Sequence, residues 1–507
     1  MNLSKELFKQ FGYQTFKQGQ KEIIKSVLNK QDVLGVLPTG SGKSICYQLP
    51  AKILSGLTIV ISPLTSLMID QVKELKAIKY KGVAAFNGMI NWQERRQILS
   101  QINRYKLLYI SPELFQSKEV IEVLQNINLS LVVIDEAHCI SQWGYDFRPD
   151  YLRIIDQIKL LKDPPILALT ATASDSVKHD IKQALNRPNM KEIIYPIDRE
   201  NIIIDLEKVN NEIEKKEMII KLLTKHQVPT LIYFSSRKKC EEIAAYLTTH
   251  LNEQVAYYHG GLENSDRLMI QQQFMNNQLN IICCTAAFGM GINKKDIRLI
   301  IHYHLPLEIE SYIQEIGRAG RDGKESVSVL LFNDNDIYLP LNIIENQFLT
   351  SEQIGEALKK IKKMTELPSM NDYFEKELEI NEVQWRNLKF QLENHGMIKK
   401  NRIIKDHQIW LKNKNNIIEL NELQELTKQN KLNQLIDWIN IDGCLRKALY
   451  KDFQTTYKQP LTYCCSVCDF NLSKWKTTAH FVNERQDNNW KDKLANLLQV
   501  GDFNETS

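Results

Sequence analysis

LPTGSGKS (37–44) follows directly on the apolar run DVLGVL (32–37), and that pairing decides the fold. A buried strand ending in a glycine-rich loop brings backbone N–H groups close to phosphates. The N-terminus of the next helix then favours the anion. Thr39, Gly40, Ser41 and Gly42 would form the cradle, Lys43 would hold the β- and γ-phosphates, and Ser44 would ligate Mg²⁺. A P-loop calls for Gly at its first position, where this chain has Leu37, but the GSGKS core is intact.

Further along, LVVIDEAH (131–138) is a second strand, and it ends in two carboxylates. Strand ends of a parallel sheet are where ligands bind. Asp135 would hold Mg²⁺ through water, and Glu136 would polarise an attacking water. An isolated acidic pair is usually a solvated loop. Placed after a P-loop, it reads as the second half of a nucleotide site.

Other short β-branched runs are LTIVIS (57–62), LLYIS (107–111), TLIYFS (230–235) and NIICCT (280–285), separated by helical stretches. Alternation of this kind predicts doubly wound, parallel-sheet α/β lobes. The stretch Tyr195–Asn201 divides two such series, giving one lobe over 1–200 and a second over 201–345. From about 345 the strand runs vanish, and a mostly helical C-terminal region is expected.

The chain has 507 residues, too long for a single core. Its net charge is only +4, so any nucleic-acid surface must come from local clustering. No apolar run is long enough to span a bilayer, and the N-terminus lacks the features of a signal peptide. Nine cysteines without an export signal argue against a disulfide framework. A reduced, cytoplasmic setting is expected, with a metal cluster among the four late cysteines.

The motifs then become specific. DEAHCISQWGYDFRPDY (135–151) resembles the RecQ form of the Walker B motif of superfamily 2 helicases, with its attached aromatic-rich loop. ALTATAS (168–174), YFSSRKKCEEIA (233–244), YYHGGL (257–262), TAAFGMGINKKDIRLIIHYHLP (285–306) and SYIQEIGRAGRDG (311–323) are similar to further family motifs in the family's order. The resemblance covers residues 7 to about 335. It implies two RecA-like lobes, with His138 completing the DEAH set. Arg318 and Arg321 become arginine fingers, with Gln314 in the same motif. Their three-residue spacing predicts that both lie on one helix face. FGYQTFKQGQ (11–20) resembles the adenine-recognising motif, with Tyr13 stacking on the base and Gln20 reading its edge. Lys17 and Gln18 stand where the family usually has Arg and Pro, which loosens the expected adenine selectivity.

Trp143, Phe147 and Arg148 lie in the loop beyond the carboxylates. Composition alone divides evenly between core packing and base stacking. The resemblance favours stacking on single-stranded DNA, coupled to hydrolysis.

The C-terminal third departs from the family plan. KLNQLIDWINIDGCLRKALYKDF (431–453) is similar to the start of the RecQ zinc module but arrives after an insert, 346–430. Within the insert, 381–398 reads as an amphipathic helix closed near Gly396, and 399–412 as a hairpin. Helix plus hairpin is consistent with a winged helix; a spacer or partner-docking unit is the other reading. Lys399, Lys400, Arg402 and Lys405 are candidate phosphate contacts. The zinc module spans 431–480, and 481–507 is a polar tail. Cys444, Cys465 and Cys468 match three ligands of the family's zinc site. Asn471 stands where the family has a further Cys, so Cys464 is the expected fourth ligand, ahead of Asp469 and His480. Free buried thiols are the alternative.

The function implied is an ATP-dependent DNA helicase moving 3′ to 5′, acting on single-stranded and forked DNA in repair, recombination or replication. A monomer is expected, with a single-strand-binding or repair protein as a further partner. An RNA helicase is one alternative. A nucleotide-gated scaffold that has lost hydrolysis is another, although every expected catalytic residue is present.

Overall fold

The structure is a computed structural model that describes residues 2–141, 149–251, 253–288, 294–368, 377–399 and 401–476. Seven strands form the first sheet: β1 (Val33–Val36), β2 (Leu57–Ile61), β3 (Val83–Phe86), β4 (Leu107–Ile110), β5 (Leu129–Ile134), β6 (Ile166–Thr170) and β7 (Lys191–Ile194). Their order is β3-β4-β2-β5-β6-β1-β7, with every pairing parallel. β1, β2 and β4 are buried along their whole length, as expected where helices cover both faces.

The second sheet contains β8 (Ile202–Lys208), β9 (Thr230–Tyr233), β10 (Val255–Tyr258), β11 (Ile281–Cys284), β12 (Leu299–His302) and β13 (Ser326–Phe332). Its order is β10-β11-β9-β12-β13-β8, again all parallel. The two parallel-sheet lobes expected from the alternating runs are present.

Among the described residues after 345 the regular structure is helical apart from one small hairpin, and the cysteine-bearing stretch after 453 is mostly irregular. The helices Ser351–Lys363 and Glu382–Asn394 begin with capping boxes at Thr350 and Asn381. Gly396, at φ +67°, follows the second helix. They share a separate core with Trp410 and Ile417. The hairpin expected over 399–412 is much shorter: β14 (Ile398–Lys399) pairs only with β15 (Arg402–Ile403). Asp406 caps the next helix by accepting from the backbone N–H groups of Gln408 and Ile409. From His407 the chain therefore enters a 33-residue helix, His407–Ile439, which also crosses the 430/431 boundary without a break.

The cysteine-bearing segment docks on the second lobe. β8 is an edge strand, and Cys465 bridges to Ile204 in parallel. The exposed sheet edge is thereby covered. Phe470, Leu472 and Trp475 add to the core of the second lobe. Among the described residues, no helix is long and apolar enough to cross a membrane.

Candidate functional site: a cleft between the two lobes

β1 delivers residues 37–44 into a loop in which Gly40 (φ +75°) and Gly42 (φ +72°) adopt the left-handed backbone that favours glycine. The helix Ile45–Ile53 follows. The adenine-motif segment grips this loop from behind. Lys17 Nζ donates to the Gly40 carbonyl at 2.7 Å, and Gln20 Nε2 donates to those of Ser41 (2.8 Å) and Gly42 (3.0 Å). Gln20 Oε1 accepts from the Lys17 backbone at 2.9 Å. The amide expected to read a base edge thus ties the motif to the P-loop here. Tyr13 is 55% exposed and lies parallel to Phe11 at 6.5 Å, which leaves its ring accessible for stacking.

β5 ends at the carboxylates. Asp135 is buried, and burial, followed by the neighbouring charge of Glu136, pushes its carboxyl up to about 7, against an opposing pull from Lys43. Glu136 sits at φ +49°, a strained position for a non-glycine residue, and its backbone donates to Asp135 Oδ1 at 3.1 Å. Its Oε2 is buried, has no hydrogen-bond partner among the described residues and lies 3.5 Å from His138 Nδ1. That ring nitrogen is also 2.9 Å from Thr170 Oγ1 at the end of β6, so the DEAH turn and the ALTATAS segment are joined.

The opposite wall comes from the second lobe. The helix Ile309–Ile316 carries Gln314 but stops before Arg318 and Arg321. The two arginines therefore sit in the turns after the helix, not on one helix face. The physical reason is that the backbone bonds are diverted. Gly320 N–H goes to Ile297, the Gly317 carbonyl accepts from Thr39 Oγ1 at 2.8 Å, and Gly320 adopts φ +51°. A Cβ on Gly317 would meet Thr39 Oγ1 at 2.1 Å, so this interlobe approach requires glycine. Arg318 is buried. Burial, then the charges of Arg318 and Arg199, pull Arg321 down to about 10, while Tyr233 and Glu136 pull the other way.

Burial, then the charges of Arg199, Lys295 and Arg321, lowers the proton affinity of Lys17 in this cleft. Cations concentrated around a glycine-rich loop make a polyanion site. The desolvated Asp135 and the orphaned Glu136 oxygen are the groups that a cation and a water would satisfy, so the residues fit a magnesium nucleotide.

Sequence reading missed Arg199 and Asn201. Arg199 donates to Thr39 O (3.1 Å) and Gly320 O (2.5 Å); Asn201 Nδ2 donates to Gly320 O (2.8 Å) and Lys324 O (2.7 Å). Both lie in the stretch read only as a boundary, where single polar residues carry no periodic signal. Trp143, Phe147 and Arg148 lie outside the described residues, as do Lys400 and His480.

The late cysteines converge. The sulfurs of Cys444, Cys464, Cys465 and Cys468 all lie within 4.8 Å of one another. Cys464 is therefore in the group despite adjoining Cys465. Asp469 accepts from the Cys464 backbone at 2.7 Å, and Asn471 caps a short turn at 472–474. Four thiols at this spacing fit a tetrahedral, thiolate-bound Zn²⁺.

Residues 17–180 match the DEAD/DEAH box helicase family, and residues 214–323 match the helicase conserved C-terminal domain. The chain is 40% identical over 511 residues to the Bacillus subtilis (strain 168) protein "Probable ATP-dependent DNA helicase RecS", covering 99% of each. It is 42% identical to the ATP-dependent DNA helicase RecQ of Haemophilus influenzae and 41% identical to that of Bacillus subtilis. Those two matches cover 64% and 70% of this chain but only 52% and 60% of the RecQ proteins. Among solved structures, the Mycobacterium smegmatis helicase Lhr bound to ssDNA and AMP-PNP superposes with a TM-score of 0.56 at 16% identity, over 77% of this chain and 57% of Lhr. The DUF1998 helicase MrfA bound to DNA and AMPPNP gives 0.56 at 19% identity, over 67% of this chain and 52% of MrfA. With these two it shares the fold.

Proposed function

We propose, from the premise that this chain belongs to the RecQ family of ATP-dependent DNA helicases, that it hydrolyses ATP in the cleft between its lobes and moves 3′ to 5′ on single-stranded DNA, opening duplexes. The observation that carries the reading is the contact of the P-loop with the arginine turn, Thr39 Oγ1 to Gly317 O at 2.8 Å. It brings the arginine turn to the P-loop, and the electrostatic pull of Glu136 on Arg321 supports reading the two arginines as facing the carboxylates.

In this reading Tyr13 stacks on the base. The N–H groups of 39–44 and the ammonium of Lys43 hold the phosphates. Mg²⁺ held by Ser44 and Asp135 would neutralise phosphate charge. Glu136 accepts a proton from the attacking water through the oxygen that has no partner in the resting cleft. Arg318 and Arg321 stabilise charge on the transferring phosphoryl group, and Gln314 lies beside them on the preceding helix. His138 transmits the state of the carboxylates to β6 through Thr170. Because both lobes contribute, hydrolysis is tied to their closure, and the loop bearing Trp143, Phe147 and Arg148 links closure to bound DNA. Zn²⁺ held by Cys444, Cys464, Cys465 and Cys468 would brace the C-terminal module.

The C-terminal region reaches both lobes: Arg153 pairs with Glu393 of the insert, and Lys431, just beyond the insert, pairs with Glu308 (2.7 Å) and Glu310 (3.0 Å). Its short hairpin carries Lys399 and Arg402, and we assign it a phosphate-contacting role on forked DNA.

The decisive test is ATP turnover with single-stranded DNA or RNA as activator, followed by strand displacement on duplexes with a 3′ or 5′ overhang. Stimulation by DNA and unwinding from the 3′ overhang are expected. RNA stimulation alone would favour the RNA-helicase alternative, and no turnover would favour a scaffold.

A further inference from the structure

Residues 195–201, between the two sheets, are held along their length by the cysteine-bearing module. The backbone N–H groups of Ile197 and Asp198 both donate to Gln454 Oε1, at 2.8 and 3.1 Å. Lys458 N–H donates to Asp198 Oδ2 at 3.1 Å, and Leu461 N–H donates to Glu200 O at 2.9 Å. Arg446 is only 2% exposed. Its guanidinium donates to the carbonyls of Arg199 (2.9 Å), Ile202 and Cys464 (3.5 Å). Arg446, two residues after Cys444, therefore ties this interlobe segment, the hinge, to the cysteine cluster.

Arg199 carries this attachment into the cleft. One nitrogen donates to Thr39 O on the P-loop wall and another to Gly320 O on the arginine-turn wall. The fit is close: a Cβ on Gly40 would lie 3.3 Å from Arg199 Nη1 and 3.2 Å from Arg321 Cγ. A planar fork spans two acceptors in fixed geometry, which a lysine ammonium cannot do.

We propose that Arg199 is a positioning residue for ATP hydrolysis, and that Arg446 makes the four-cysteine module part of the cleft's alignment. Arg199 fixes the distance and angle between the P-loop and the turn bearing Arg318 and Arg321, and Arg446 fixes Arg199. This rests on the ATP-site reading above.

The test uses the full chain with saturating single-stranded DNA. kcat and KM for ATP are measured separately, alongside fluorescent-ATP affinity, metal content and thermal midpoint. Arg199→Met should keep its fold, its metal content and most of its nucleotide affinity, while kcat falls on the order of tenfold to a hundredfold, the loss that misplacement of reacting groups produces. Arg199→Lys should fall between Arg199→Met and wild type. Gln454→Ala, a milder release of the hinge, should lower kcat several-fold with metal retained. The double variant Arg199→Met/Arg446→Lys should be no slower than Arg199→Met alone, because both substitutions act on one path. If Arg446→Lys does not fold, Arg199→Met/Gln454→Ala serves instead.

Wild-type kcat in Arg199→Met, or losses that multiply in the double variant, would overturn the proposal. So would equal losses in affinity and turnover, which would make Arg199 a phosphate ligand. Lys43→Ala separates the two levels. If it is inactive while Arg199→Met is normal, only this inference fails. If it turns over normally, the ATP-site reading fails.

Discussion

The hydroxyl of Tyr151 donates to the backbone carbonyl of Asp135 at 3.0 Å. Ser141 Oγ reaches Asp180 Oδ2 at 2.5 Å. Tyr151 is thus tied to the carboxylate turn and Ser141 to the helix Asp175–Ala184; Trp143, Phe147 and Arg148 lie between these two residues in the sequence, outside the described residues. A shift of Tyr151 reaches the Asp135 backbone directly through its hydrogen bond. Tyr151→Phe deletes this donor at a net cost of about 0.5–1.5 kcal/mol. The expected result is unchanged ATP affinity with several-fold weaker stimulation by single-stranded DNA. An ATPase titration with an oligonucleotide measures both, and full stimulation would place the coupling elsewhere.

Lys43→Ala removes the point charge from the phosphate cradle, and Glu136→Gln removes a carboxylate at constant size. Both should abolish DNA-stimulated hydrolysis, with Glu136→Gln still binding ATP. The backbone strain at Glu136, φ +49°, is unaltered by that substitution, so loss of turnover would report chemistry and not misfolding. Normal turnover in either variant contradicts the assignment.

Trp143→Ala and Arg148→Ala test the loop itself. A stacked base is worth about 1–3 kcal/mol, enough to lose unwinding and most DNA stimulation while nucleotide binding survives. If these variants unfold, the aromatics belong to the core. Circular dichroism run beside the unwinding assay separates the outcomes.

The lobes were legible in the sequence because buried parallel strands read as unbroken apolar runs: Leu57–Ile61 and Ile281–Cys284 are buried at every position. Glycines flagged the P-loop because their positive φ is a backbone requirement. The end of the helix before Arg318 was not legible. It depends on Thr39, 278 positions away, claiming the Gly317 carbonyl. Arg199 and Arg446 were hidden for a related reason. Each acts through carbonyl oxygens supplied by other segments, and such partners leave no pattern in local sequence. The 430/431 boundary follows the resemblance of 431–453 to the zinc module, and the 33-residue helix runs through it because its buried positions lie at both ends, around Trp410 and Leu435, with a polar middle.

Stability should fall in acid through the second lobe. Burial, then Lys225, pushes His226 down to about 4, and its ring lies 4.4 Å from that of Trp475. Burial, then Lys215 and Lys239, pushes His304 down to about 3. An unfolded histidine titrates near ~6.5, so between these values the unfolded chain binds more protons than the native one. The stabilisation is complete above ~6.5 and is lost as pH falls toward 4, at up to about 1.4 kcal/mol per pH unit for each group. Thermal midpoints should therefore drop from pH 6.5 to 4.5. His226→Gln, whose neutral amide does not titrate, should flatten the drop. A level wild-type profile over that range would contradict the argument.

Metal removal tests the cysteine cluster. Four thiols within 4.8 Å of one another would hold Zn²⁺ as thiolates, and binding would then contribute directly to folding of the segment around them. The segment is not an independent unit: Cys465 bridges to Ile204, and Phe470, Leu472 and Trp475 pack into the second lobe. About one zinc per chain is expected, lost in Cys468→Ser. Cys464→Ser should lose it as well, because Cys464 sits 3.6 Å from Cys444 and completes the set, whereas Asp469 already accepts from the Cys464 backbone. Chelation should loosen residues after 430, read by proteolysis or hydrogen exchange, while the two sheets stay protected. A metal-free preparation with full activity and unchanged protection would mean that the four sulfurs are free thiols, which are not uniformly buried, since Cys468 is exposed.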